Sequence, residues 1–176
     1  VLGPAVVVIT GIMAAGKSTV AQLLAERLPR AAHVRGDVFR RMIVSGRADM
    51  TPGAEDDAVA QLRLRHRLTA SVADGYAEAG FTAVVQDVLL GEHVDELLAA
   101  VRTRPRYLVV LAPSPAAVAE REAARAKTGY GAWTVEDLDR GLRALPRRGL
   151  WLDSTHLSAE STVDALLAGL DEARVP

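Results

Sequence analysis

Ala5 to Thr10 reads Ala-Val-Val-Val-Ile-Thr, an unbroken β-branched run of the kind that forms a buried parallel strand. Four further apolar stretches predict strands: Ala32 to Arg35, Thr82 to Val85, Tyr107 to Leu111 and Leu150 to Leu152. Between them, apolar residues recur at helical spacing. The spacing predicts helices over Val20 to Leu28 (ended by Pro29), Val38 to Val44, about Glu55 to Ala79, and Val94 to Val101. Three more follow over Pro115 to Ala126, Val135 to Leu142 and Ala159 to Ala173. Strands alternating with helices predict an α/β fold, a parallel sheet covered on both faces. Ligands of such sheets bind at the carboxyl ends of strands, so the residues just past each strand carry the chemistry.

Length and composition narrow the choice. The 176 residues suit a single domain with a full core, residues 1–176, and no repeat or long linker divides them. Without cysteine there is no disulfide, thiolate zinc site or cysteine nucleophile. The N-terminal apolar run is too short to span a membrane and has no basic leader, so no membrane partner and a cytoplasmic location are expected. A net charge of −1 argues against an extended nucleic-acid surface. Lysine occurs only at Lys17 and Lys127, and asparagine is absent. Arginine abundance therefore says little about ligands, whereas Lys17 has kept its lysine.

Gly11 to Thr19 reads Gly-Ile-Met-Ala-Ala-Gly-Lys-Ser-Thr and matches G-x-x-x-x-G-K-S/T at every fixed position, between a strand and a helix. Gly11 and Gly16 let the backbone close around a phosphate. The N–H groups along Met13, Ala14 and Ala15 and the start of the helix would face the anion. Lys17 would reach the terminal phosphates of ATP, and the Ser18 hydroxyl, ahead of Thr19, would take a place on Mg²⁺. Three other strand ends carry an aspartate: Asp37, Asp87 and Asp153. Each could instead cap a helix, but their joint placement around one crevice favours chemistry.

The pieces Ala15-Gly16-Lys17-Ser18, Asp37, Gln86-Asp87-Val88-Leu89-Leu90-Gly91, Arg121-Glu122-Ala123-Ala124-Arg125 and Asp153-Ser154-Thr155-His156 occur in order along most of the chain. With them the chain resembles the small P-loop kinases, the group of gluconate, adenylylsulfate and polynucleotide kinases, and most of all chloramphenicol phosphotransferase. That resemblance implies a three-layer fold with a five-stranded sheet in the order 2-3-1-4-5. Asp87 would then lie beside the phosphate loop and face Mg²⁺, and Asp37 would face the acceptor hydroxyl as its base. Ser154 and Thr155 would join the ATP site. Gln86 departs from the family, which often has an acidic residue there, and the segment from Ser45 to Arg67 shows no clear match.

Arg121 and Arg125 share a helix face and precede Lys127-Thr128-Gly129-Tyr130-Gly131-Ala132-Trp133, which suits a lid over the triphosphate at about residues 121–134. A solvated face paired with Glu120 and Glu122 is the alternative. The acceptor region is expected over about residues 38–70. Arg40 stands in a Gly-Asp-x-x-Arg pattern, which in the adenylylsulfate and polynucleotide kinases helps to hold an anionic acceptor. Arg63 and Arg67, with His66 beside them, could bind acceptor anions or pair with Glu55, Asp56 and Asp57. Ser45 to Gly53 reads as a mobile specificity loop. His33, His93 and His156 have no metal-ligand spacing, so no zinc site is expected. The expected protein is an ATP- and Mg²⁺-dependent kinase acting on a small-molecule hydroxyl, with antibiotic inactivation as the leading version and a sugar or nucleotide-like acceptor close behind. A toxin-like or polynucleotide kinase and an ATPase switch remain as alternatives. A GTPase of the usual kind is unexpected, since Asn-Lys-x-Asp requires asparagine.

Overall fold

All six residues of β1 (Ala5–Thr10) are buried, and the sheet is built outward from this strand. Each of its valine and isoleucine side chains contributes about 1.5–3 kcal/mol by leaving water. β3 (Thr82–Gln86) pairs with one edge of β1 and β4 (Arg106–Leu111) with the other, both parallel, so that Val7 stands between Val84 and Tyr107. β2 (Ala31–Arg35) lies outside β3, and β5 (Leu150–Leu152) outside β4. The parallel strands therefore run in the order 2-3-1-4-5. The computed structural model describes residues 2–125 and 130–176.

The connections carry α1 (Lys17–Arg27), α2 (Asp37–Arg41), α3 (Asp56–Glu78), α4 (His93–Ala100), α5 (Pro115–Ala123), α6 (Val135–Arg143), α7 (Ala159–Ala168) and α8 (Leu170–Ala173). α1 packs with α7 and α3 with α4, while α1 and α3 both lie against β2 and β3. Asp74 fastens α3 in place. It is buried and accepts from the backbone N–H of Thr103 at 2.9 Å and from the Thr103 hydroxyl at 2.8 Å.

Three elements differ from the sequence pattern. α2 ends at Arg41 rather than Val44, and the apolar residues beyond it are not packed: Met42 is 65% and Val44 98% exposed. The last helix breaks at Gly169, which packs so tightly on Leu150 that a Cβ there would lie 2.8 Å from a leucine methyl. The break also frees β6 (Arg174–Val175) to pair antiparallel with Arg106 and Tyr107 of β4. That edge is open because β5 pairs only with Val109–Leu111.

Candidate active site

The loop between β1 and α1 forms a cradle. Gly16, at the start of α1, adopts a left-handed conformation with φ 96°, which glycine accepts without strain. No side chain caps α1, as is also true of α2, α3, α4 and α8, but α1 alone follows the glycine loop. The first N–H groups of α1 are thus left for an anion. Lys17 is buried and donates from Nζ to the Ile12 carbonyl at 2.8 Å. Burial lowers its pKa to about 8, with Asp87 pulling upward and Arg125 and Arg65 pushing further down. Ser18 and Thr19 are exposed beside it. Across the loop, Tyr130 donates its hydroxyl to the Met13 carbonyl at 2.6 Å.

The end of β1 also fixes the segment after β3. Thr10 Oγ1 donates to the Leu89 carbonyl at 3.1 Å and accepts from the Leu89 N–H at 3.0 Å. Asp87 is thereby held in the interior, 3% exposed. Arg65 of α3 meets it in a bidentate pair, with Nε donating to Oδ2 at 2.7 Å and a terminal nitrogen donating to Oδ1. Burial pushes the Asp87 carboxyl up, opposed by Arg65, the Val88 N–H and Lys17. Gly36 packs directly on this carboxylate, and any Cβ there would collide with it. Arg65 also approaches Asp37 Oδ1 at 3.7 Å. Asp37, the first residue of α2, is held by Arg40 and Arg41 at 3.1 Å each. Burial would raise its pKa, but the Arg40 hydrogen bond and the charges of Arg65, Arg40 and Arg41 hold it below the usual carboxylate range. A line of alternating charges therefore runs from Lys17 through Asp87, Arg65 and Asp37 to Arg40, with Lys17 linked to Asp87 by charge alone.

Arg65 is the residue that sequence reasoning missed. It lies seven residues after Ala58 and four before Thr69, both buried, so helical periodicity turns it toward the sheet. Arg63 and Arg67 sit about 200° around the helix from it. Arg63 donates to Glu96 of α4 and to Glu92 just before it, each at 2.9 Å, and not to Glu55–Asp57. Arg67 is exposed on the same side. Sequence left Arg63 and Arg67 either to bind acceptor anions or to pair with Glu55–Asp57; the structure turns both toward α4. The loop read as mobile is fastened at several points. Arg40 donates to Asp49 at 2.7 Å, Gln61 donates to the Gly46 carbonyl and accepts from the Ala48 N–H at 2.8 Å each, and Trp133 Nε1 donates to the Met50 carbonyl at 3.3 Å.

Arg121 lies on α5 and Arg125 two residues past its end, and the two side chains go to different destinations. Arg121 donates to the Ser154 carbonyl at 2.8 Å, in the loop after β5. Arg125 pairs with Glu122 at 3.1 Å and lies close enough to Lys17 to depress its pKa. The solvated-pair alternative thus describes part of Arg125 and none of Arg121. Asp153 serves its own loop, accepting from the Thr155 N–H at 3.0 Å and from its hydroxyl. Thr155 Oγ1 in turn accepts from the Ser114 N–H at 2.8 Å. The Ser154 hydroxyl is buried with no partner among the described residues. Lys127, Thr128 and Gly129 of the expected lid, with Ala126 of the expected helix, lie outside the described residues.

His93 lies against His66 and Glu96, so that three candidate ligand atoms converge where sequence spacing gave no hint of it.

Residues 6–147 match a family model described as an AAA domain. The chain belongs to that AAA domain family. The matched span begins in β1 and ends just before β5, so it takes in the phosphate loop, α2, α3 and both arginines of the α5 segment. Among curated proteins, none matches the sequence. Solved structures share the fold of this AAA domain over nearly its whole length. A sugar kinase from Janibacter sp. is 21% identical, covers 96% of this chain and 95% of its own, and has a TM-score of 0.71. The Mycobacterium tuberculosis APS kinase in complex with AMPPNP and APS is 20% identical, with coverage of 95% and 97% and a TM-score of 0.70. The Deinococcus radiodurans tunicamycin resistance protein is 17% identical, with coverage of 98% of each chain and a TM-score of 0.67. No helix among the described residues is long and apolar enough to cross a membrane.

Proposed function

We propose that this protein is an ATP- and Mg²⁺-dependent kinase that moves the γ-phosphoryl group to a hydroxyl of a small molecule. The observation that carries the proposal is Arg65, which spans from Asp87 beside Lys17 to Asp37 beside Arg40. A hydrolytic switch needs the donor cradle alone; here a line of charged side chains continues from the cradle to a second carboxylate ringed by arginines. The uncapped start of α1, the exposed Ser18 and the buried Asp87 fit a Mg·ATP complex. Bound Mg²⁺ would neutralise charge on the β- and γ-phosphates. Lys17 would hold the same oxygens, the α1 N–H groups would bind the anion, and Arg125 would offset charge on the migrating group. Asp37 would accept a hydrogen bond from the attacking hydroxyl and take its proton. Its low pKa makes it a weak base, adequate where the transition state is loose and the hydroxyl loses its proton late.

In the finer version the acceptor is an antibiotic hydroxyl, supported by the sequence resemblance to chloramphenicol phosphotransferase and by the fold shared with a tunicamycin resistance protein. The sugar kinase and the APS kinase of the same fold keep sugars and adenylylsulfate in view. An acceptor screen covering hydroxylated antibiotics, sugars and nucleotide-like alcohols, following ADP release and weighing the product, tests both levels. A product heavier by one phosphoryl group is expected with one of these classes. Steady ADP release that no acceptor stimulates would instead identify an ATPase.

The two arginines should separate kinetically. Arg125→Ala is expected to lower kcat on the order of 10³-fold with KM for ATP little changed, because its charge serves the transition state. Arg121→Ala should act mainly on KM for ATP, because Arg121 anchors the Ser154 loop. Turnover within a few-fold of the parent in both variants would leave Arg125 a surface pair with Glu122.

A further inference from the structure

On the side of α3 turned toward α4 lies a cluster that phosphoryl transfer does not use. His66 is 2% exposed, and neither of its ring nitrogens has a hydrogen-bond partner among the described residues. A buried imidazole with nothing to bind is costly and uncommon. Its ring centroid is 5.4 Å from that of His93, the first residue of α4. One turn further along α4, Glu96 Oε2 lies 2.9 Å from His93 Nδ1. One ligand atom from each of the three residues falls within 4.8 Å of the others. A surface pocket of about 390 Å³, lined by Arg63, His66, Arg67, Glu96, Ala99 and Ala100, opens onto the cluster.

We propose that His66, His93 and Glu96 form a binding site for a divalent transition metal, Zn²⁺ foremost, separate from the Mg·ATP crevice. Two imidazole nitrogens and one carboxylate oxygen suit Zn²⁺ and its neighbours, whereas Mg²⁺ and Ca²⁺ favour all-oxygen sets. Three protein ligands leave a fourth position for water from the pocket. Ligand atoms at about 2.0–2.2 Å from a tetrahedral ion stand roughly 3.3 Å apart, so modest side-chain rotation closes the cluster. A neutral imidazole ligates through the ring nitrogen that carries no proton, so each histidine keeps its single N–H on the other nitrogen, and the metal takes the place of the His93–Glu96 hydrogen bond. Glu96 Oε1 keeps its contact with Arg63, whose charge Glu92 also balances. The bound ion would staple α3 to α4 one residue from Arg65, steadying the turn that carries it.

The test uses the full chain, stripped with a chelator and free of nucleotide, so failure of the kinase reading would leave it unaffected. Zn²⁺ is titrated by calorimetry, and Co²⁺ by its visible absorption. One equivalent of each metal is expected to bind saturably, with a tetrahedral Co²⁺ spectrum and a melting temperature that rises with Zn²⁺. His66→Ala risks misfolding because the residue is buried, so His93→Ala and Glu96→Gln carry the test. Each should weaken Zn²⁺ binding by at least about tenfold and abolish the thermal shift. No saturable binding of either metal would overturn the proposal. So would parental affinity in both variants, which would place the ion on other side chains.

Discussion

Replacing Lys17 with alanine is expected to abolish phosphoryl transfer, by at least about 10³-fold, and to leave a folded protein whose melting temperature is no lower than the parent's. The two halves of this expectation have one cause. Lys17 is buried against the Ile12 carbonyl, with Arg125 and Arg65 as additional positive neighbours. Its pKa falls from 10.5 to about 8, so folding opposes the charge by roughly 3 kcal/mol at neutral pH. The sign follows from the direction: the unfolded chain holds the proton more tightly, so the group opposes folding fully below about pH 8, and that penalty fades as pH rises toward 10.5. Removing it relieves a strain on stability, and only function has reason to keep it. ATP would restore the charge by supplying phosphate oxygens, so binding above pH 8 should draw protons from solution and weaken as pH rises further. Calorimetry in buffers of different ionisation enthalpy measures that uptake. Full activity in a folded Lys17→Ala protein would end the kinase reading.

Much of the frame was legible because buried parallel strands and a phosphate loop both write themselves locally. The β1 run is apolar on both faces, and the loop's fixed residues lie within nine positions. The strand order was legible only through resemblance, since which strand neighbours β1 is a long-range fact. The two-residue β6 is too short to show any period, and Gly169 sits inside an apolar helical pattern that gives no sign of a break. The acceptor side was harder to read for a different reason. Arg63 and Arg67 attract notice as an i,i+4 pair, but the partners of Arg63 lie 29 and 33 residues away, just before α4 and within it. Arg65 has no such motif. Counting the buried stripe of α3 through Ala58, Thr69 and Ala73 would have found it, since a charged residue inside an apolar stripe must have a buried partner.

That partner is Asp87, and its pairing sharpens the contrast with Asp37. Asp87→Asn leaves Arg65 and Lys17 facing each other with no intervening charge, in a site where Asp87 itself is 3% exposed. Breaking such a pair costs on the order of 3–5 kcal/mol, so a fall of several degrees in melting temperature is expected. Because this carboxylate lies on the cradle side, the variant should also need more Mg²⁺ for half-maximal activity and bind the donor less well. Asp37 has a side chain 42% exposed, and its arginine contacts are partly solvated. Asp37→Asn should therefore change stability by less than about 1 kcal/mol and bind Mg·ATP normally. Transfer to the acceptor should nonetheless fall about 10²- to 10⁴-fold, since the amide can neither take the proton nor orient the hydroxyl in the same way. Titrating both variants with Mg²⁺ and a slowly hydrolysed ATP analogue, alongside thermal melts, decides between them. The reverse pattern would mean that the roles are exchanged, and identical behaviour would mean that both carboxylates serve the metal.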